Sequence, residues 1–218
     1  MLERVLEPEV MDTEEDAREY DQMDHTEANE AFVGRLVELG AHGSMLDIGT
    51  GPGHIPLLVC ERIEGARVTG VDLAERMLQI AERNRRASAH AERISYRLAD
   101  AKGLDFPDGT FDTAFSNTIL HHIPDPLPFL IEALRVVKPG GVLLIRDLMR
   151  PNSLERREEL VSLHAQGATP YQRRLFGDSL HAALTPDELR VLAREAGWID
   201  AEVAVDSDRH MSLQRGAK

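Results

Sequence analysis

The chain has 218 residues, enough for one α/β domain that buries most of the surface its unfolded form would expose. Apolar residues make up 42% and charged residues 29%, a balance that argues against both a disordered and a membrane-embedded chain. The net charge of −13 repels phosphate backbones, and a single cysteine, Cys60, excludes an internal disulfide and any multi-cysteine metal site.

The chain opens on Glu3, Glu7 and Glu9 instead of a basic segment followed by an apolar one. No run approaches the roughly 20 apolar residues of a membrane span, so the sequence is expected in a reducing cytoplasm. Thr13–Leu39 is acidic and then amphipathic, with Phe32, Val33, Leu36 and Val37 on one side. It reads as one or two helices packed on the following core, serving as a lid or as a dimer contact. A monomer and a homodimer therefore stay equally open.

From residue 44 to 147, short apolar runs alternate with helical patterns, the signature of βαβ units and a parallel sheet. The expected strands are Ser44–Gly49, Arg67–Asp72, Arg93–Asp100, Phe111–Asn117 and Gly141–Asp147. Ile55–Ile63, Ala74–Arg86 and Pro126–Val137 have the spacing of covering helices, the last ended by Lys138-Pro139-Gly140-Gly141. Pro151–Ala183 is polar and helix-rich. Thr185-Pro186-Asp187-Glu188 carries a capping box with proline at the first helical position. Trp198–Val205 and His210–Gln214 then suit a closing hairpin. Residues 1–218 are expected to form one domain, with a helical lid over 1–40, a core over 41–148, a helical insertion over 149–184, and a helix and hairpin over 185–218.

Function is most legible in the turn after the first strand, Asp47-Ile48-Gly49-Thr50-Gly51-Pro52-Gly53. Glycines there let the backbone curve tightly beside a ligand, at the strand end where open α/β sheets bind one. A dinucleotide fingerprint needs a glycine at position 54, which is His54; the spacing is G-x-G-x-G. Asp47 is badly placed for a pyrophosphate and well placed to complement a cation. A nicotinamide oxidoreductase is thereby disfavoured.

These residues resemble the first motif of the class I S-adenosylmethionine-dependent methyltransferases, and further segments agree in order and spacing over roughly residues 40 to 148. Val68-Thr69-Gly70-Val71-Asp72 looks like the family's second strand, and Leu98-Ala99-Asp100-Ala101 like its third-strand segment. Phe106–Asp112, Asn117 and His121-His122-Ile123-Pro124-Asp125 are similar to the fourth-strand region of the small-molecule, UbiE-like branch, and Val137–Gly141 to the fifth-strand entry. The resemblance implies a Rossmann-like, doubly wound, mostly parallel seven-stranded sheet with the last strand antiparallel and helices on both faces. It also implies in-line methyl transfer from S-adenosylmethionine to a small molecule, with no membrane or nucleic-acid partner; a protein that binds the cofactor without transferring methyl is the alternative.

By the same resemblance, Asp72 takes the ribose hydroxyls and Asp100 the adenine amino group. Gly49, Thr50, Gly51, Gly53, Leu73, Met77, Ala101 and Asn117 join Asp47 around the cofactor, with Tyr20 stacked on it or lying on a surface helix. His121 and His122 follow the fourth strand and are candidates either for proton removal or for holding the loop. His25, Arg146, Arg150, Tyr171, Arg209 and His210 are candidate substrate contacts, with a buried ion pair as the alternative for Arg146 and Arg150 and an exposed turn as that for Arg209 and His210. No spacing supports a metal site, and none is expected.

Overall fold

The computed structural model describes residues 2–7 and 26–217. Seven strands form one sheet: β1 (Ser44–Ile48), β2 (Arg67–Asp72), β3 (Ile94–Leu98), β4 (Phe111–Asn117), β5 (Val137–Leu148), β6 (Glu202–Val205) and β7 (His210–Arg215). Their spatial order is β3-β2-β1-β4-β5-β7-β6. The first five are mutually parallel, and β7 runs antiparallel to β5 and to β6. This is the Rossmann-like arrangement expected, with the final strand reversed.

Side chains alternate across a strand, so a sheet covered on both faces must be apolar at successive positions. Leu46, Ile48, Leu143 and Ile145 join one core, with Phe129 and Leu130 of α4 (Leu127–Arg135) and Leu189 of α7 (Pro186–Glu195). Met45, Val68, Phe115, Val142 and Leu144 face the other side. There they meet Phe32 and Leu36 of α1 (Thr26–Glu38) and Val59 and Cys60 of α2 (His54–Arg62). Beyond these, α3 (Glu75–Ala87) follows β2, while α5 (Leu154–His164) and α6 (Pro170–Ala182) pack together over Leu148. Among the described residues, no helix is long and apolar enough to cross a membrane.

Several boundaries differ from the sequence reading. The helix expected to reach Val137 ends at Arg135, and β5 begins at Val137 instead of Gly141. Val137 pairs with Phe111 and Val142 with Thr113, so residues 138–141 bulge opposite Asp112 alone. Gly141 is required there, because a Cβ would stand 2.6 Å from the Asp112 carbonyl oxygen. Strand β3 stops at Leu98 and leaves Asp100 in the following loop. Trp198 precedes the hairpin: it is 2% exposed and its indole N–H donates to the Leu130 carbonyl at 2.9 Å.

At the start of α7 the Thr185 hydroxyl accepts from the Glu188 N–H and the Glu188 carboxylate accepts from the Thr185 N–H, the reciprocal cap read from the sequence. Trp198 ties α7 to α4, so its removal opens a cavity and strands a buried contact. Trp198→Ala is expected to lower unfolding free energy by about 3–5 kcal/mol, measured by urea denaturation.

Candidate functional site

The site begins where the chain leaves β1. The N–H groups of Gly49 and Thr50 both donate to the Val71 carbonyl, at 2.8 and 2.9 Å, which stitches the turn to β2. The Thr50 hydroxyl donates to Asp47 Oδ2 at 2.7 Å, and the Gly51 N–H donates to Asp72 Oδ2 at 2.7 Å. The other Asp72 oxygen accepts from the Ala74 N–H at 2.8 Å, closing the entry to α3. Gly49 and Gly53 both lie at positive φ, where a Cβ would meet Ile119 at 2.4 Å and the Tyr96 hydroxyl at 2.3 Å. Their smallness serves packing within the protein; only Gly51 has open space before it.

A cavity opens above this turn at the carboxyl ends of the strands. Gly49, Thr50, Gly51 and Asp72 form one side of it, and Leu73 and Met77 extend that side along α3. Asp100 and Ala101 line the end beyond β3, and Asn117 lines the end beyond β4. Asp47 and Gly53 do not reach the wall. Asp47 is 1% exposed beneath Thr50, and burial, opposed by the Thr50 hydrogen bond and reinforced by Asp72, pushes its carboxyl up to about 7. Asp100 is held low: burial would raise it, and the Lys102 N–H and ammonium outweigh that.

Sequence reasoning missed part of the wall. Thr118 lies in it with φ of 65°, a left-handed conformation that a β-branched residue seldom adopts, and its N–H donates to the Arg146 carbonyl at 2.8 Å. Asn29, His54, Ile119 and Ile123 also line it. The alternation of Asn117-Thr118-Ile119 looks like continued strand, so nothing local announces the kink.

The histidine pair divides. His122 is in the cavity wall, whereas His121 is 3% exposed behind it. His121 Nδ1 lies 2.6 Å from Asp147 Oδ1, and Asp147 Oδ2 accepts from the N–H groups of Leu120 and His121. Burial opposes charge on both members, yet each stabilises the other's ion, so the imidazole is raised and the carboxyl lowered. Asp147 therefore holds the 3-10 turn Leu120–His122 against β5.

The substrate candidates lie elsewhere. Arg150 is buried in bonds to the Ala183 carbonyl and to Glu188 Oε1 at 2.5 Å, and Arg146 reaches the Ala28 carbonyl and Asp206. Tyr171 stacks beneath Arg174, and Arg209 contacts Asp208 and His164. His210 sits beside Ser207, its pKa pushed down to about 3 by burial and then by Arg146 and Arg209. None of these five lines the cavity among the described residues. Tyr20 and His25 lie outside the described residues.

Residues 46–145 match the family described as a methyltransferase domain. The chain is 30% identical over 178 residues to the 27-O-demethylrifamycin SV methyltransferase of Amycolatopsis mediterranei, covering 80% of this chain and 60% of that one. It is 38% identical over 107 residues to the demethylmenaquinone methyltransferase of Thermus thermophilus, covering 49% of this chain and 48% of that one. Among solved structures, phosphoethanolamine N-methyltransferase 2 of Haemonchus contortus in complex with S-adenosyl-L-methionine superposes with a TM-score of 0.64 at 25% identity, over 88% of this chain and 43% of that one. The chain thus spans about half the length of these relatives.

Burial of Asp47 has a consequence for stability. Its folded value, about 7, stands above its ordinary 3.8, so between these values the folded chain keeps a proton that the unfolded chain has released. Stability from this group is therefore lost as pH rises from about 4 to about 7. Urea midpoints measured across that range should fall more steeply for the native chain than for Asp47→Asn, which cannot ionise.

Proposed function

We propose that this chain, a member of the class I S-adenosylmethionine-dependent methyltransferases, binds its cofactor in the cavity above β1 and β2 and transfers a methyl group to a small-molecule acceptor. The observation that carries the reading is the cavity itself: one wall presents the glycine turn, and the carboxylates of Asp72 and Asp100 stand at the ends of adjacent strands. Those spacings suit an adenosyl group lying across β2 and β3.

The Asp72 carboxylate accepts backbone N–H groups from Gly51 and Ala74, and a carboxylate at the cavity wall is the acceptor type that suits ribose hydroxyls. Asp100 lies at the adenine end, flanked by Ala101, with Leu73 and Met77 as apolar flanks. Asp47 acts at one remove. It fixes the Thr50 hydroxyl, and a cationic sulfonium or ammonium nearby would favour its ionised form. The acceptor end is the opposite wall, from Asn117 to Ile123, where His122 is exposed to the cavity.

A sulfonium methyl is already activated, so the protein's task is to align nucleophile, carbon and sulfur and to exclude water. Relatives act on rifamycin and menaquinone precursors, by their names, which favours a small organic acceptor.

Titration calorimetry should show 1:1 binding of S-adenosylmethionine. Asp72→Asn keeps the shape and removes the charged acceptor, and its affinity is expected to fall by about 10–100-fold, the value of one or two charge-assisted hydrogen bonds. Unchanged affinity would place the adenosyl group elsewhere. In a second measurement, methyl-labelled cofactor is incubated with the protein and a panel of small hydroxylated and amino acceptors. Label should move to acceptor in a time- and enzyme-dependent way; binding without transfer across the panel would leave a cofactor-binding protein.

A further inference from the structure

The described N-terminal residues 2–7 cross the turn that carries the histidine pair. Arg4 anchors them: its guanidinium donates to the carbonyls of Ala182 at 2.6 Å, Ile123 at 3.0 Å and Pro124 at 3.2 Å. Three residues further on, Glu7 Oε1 lies 3.3 Å from His121 Nε2 and 3.1 Å from His122 Nδ1. The three ligand atoms all fall within 4.8 Å of one another. The Glu7 side chain is only 10% exposed, and its other oxygen accepts from the Ser179 hydroxyl at 3.3 Å.

Oε1 accepts no hydrogen bond from any described group, although two ring nitrogens stand beside it. Close approach without alignment is the geometry of ligands that share an ion. Two donors each about 2.0–2.1 Å from one cation, separated by roughly tetrahedral angles, stand about 3.1–3.4 Å apart, and each lone pair points at the cation and not at the neighbouring ligand. A protonated imidazole pairing with Glu7 would instead direct its N–H along the line to Oε1. His121 also has the outer-shell partner that metal-binding histidines keep, since its Nδ1 is held by Asp147 at 2.6 Å.

We propose that Glu7, His121 and His122 form a binding site for one divalent transition cation of the zinc type, against the acceptor wall of the cavity. Two imidazoles and one carboxylate suit such an ion, and three protein ligands leave a coordination position for water or for an oxygen of the small-molecule acceptor. Bound there, the ion also ties the N-terminal segment to the turn after β4. The site goes beyond methyl transfer and does not depend on it.

The full-length protein, stripped with a chelator, would be titrated with Zn2+ in competition with a chromophoric chelator and with Co2+ followed by visible absorption. One equivalent is expected, with the Co2+ spectrum of a low-coordinate nitrogen and oxygen site. Glu7→Gln and His122→Gln should each weaken binding by more than about 100-fold, beyond the 10–100-fold typical of an outer-shell partner. Zn2+ should raise the thermal midpoint of the native chain and leave those of both variants unmoved. Calorimetry with S-adenosylmethionine on the same samples reports the cofactor site separately and shows that each variant is folded. Absence of stoichiometric binding, or equal binding by the native chain and both variants, would overturn the proposal.

Discussion

The pocket depends on one carbonyl. Val71, near the end of β2, accepts from two successive N–H groups of the turn leaving β1, and this pair of hydrogen bonds holds the glycine loop across the gap between the strands. Asp72, the next residue, then secures Gly51 and the entry to α3. Without that stitching the turn would be an open loop, and the side chains beyond it would have no fixed distance from the sheet. Because β1 and β2 are buried on both faces, their own register leaves no freedom to adjust. Rigidity in the apolar sheet is thus passed to a polar rim.

Much of this was legible because it is local. The first five strands, the G-x-G-x-G turn and the Thr185 cap are each written within a few consecutive residues, and hydrophobic period or capping chemistry decides them. Less legible are the residues whose partners lie far away in the sequence. For Arg150 the sequence leaves a substrate contact and a buried ion pair open, and Glu188, thirty-eight positions on, supplies the ion pair. For Arg209 and His210 the sequence leaves a pocket and a turn open, and the hairpin sets them beside Ser207, Asp208 and His164. Glu7 carried no signal at all, since its contacts with the histidine pair span more than a hundred residues. The start of β5 was misplaced because Lys138-Pro139-Gly140-Gly141 reads as a helix stop, whereas the structure absorbs it as a bulge beside Asp112.

Two carboxylic acids, Asp47 near the end of β1 and Asp72 at the end of β2, stand on adjacent strands beside the glycine turn, and the first is sealed from solvent. Placing like charges together is costly unless one is neutral or a cation offsets them. Burial favours the first route, raising the Asp47 carboxyl to about 7 and so favouring its neutral form below that pH. A positively charged ligand supplies the second. Such a loop favours a cation over an anion by charge alone, and the overall charge of −13 acts in the same direction.

Arg4 is hydrogen-bonded both to Ala182 at the close of α6 and to Ile123 and Pro124 just past the histidine pair. Three segments remote in sequence therefore share one fastener. Mechanically, the N-terminal segment 2–7, the helical pair α5–α6 and the turn after β4 are coupled, because shifting one of them strains the bonds that Arg4 makes to the others. Any movement at this edge is then collective, since it begins with the release of a single guanidinium.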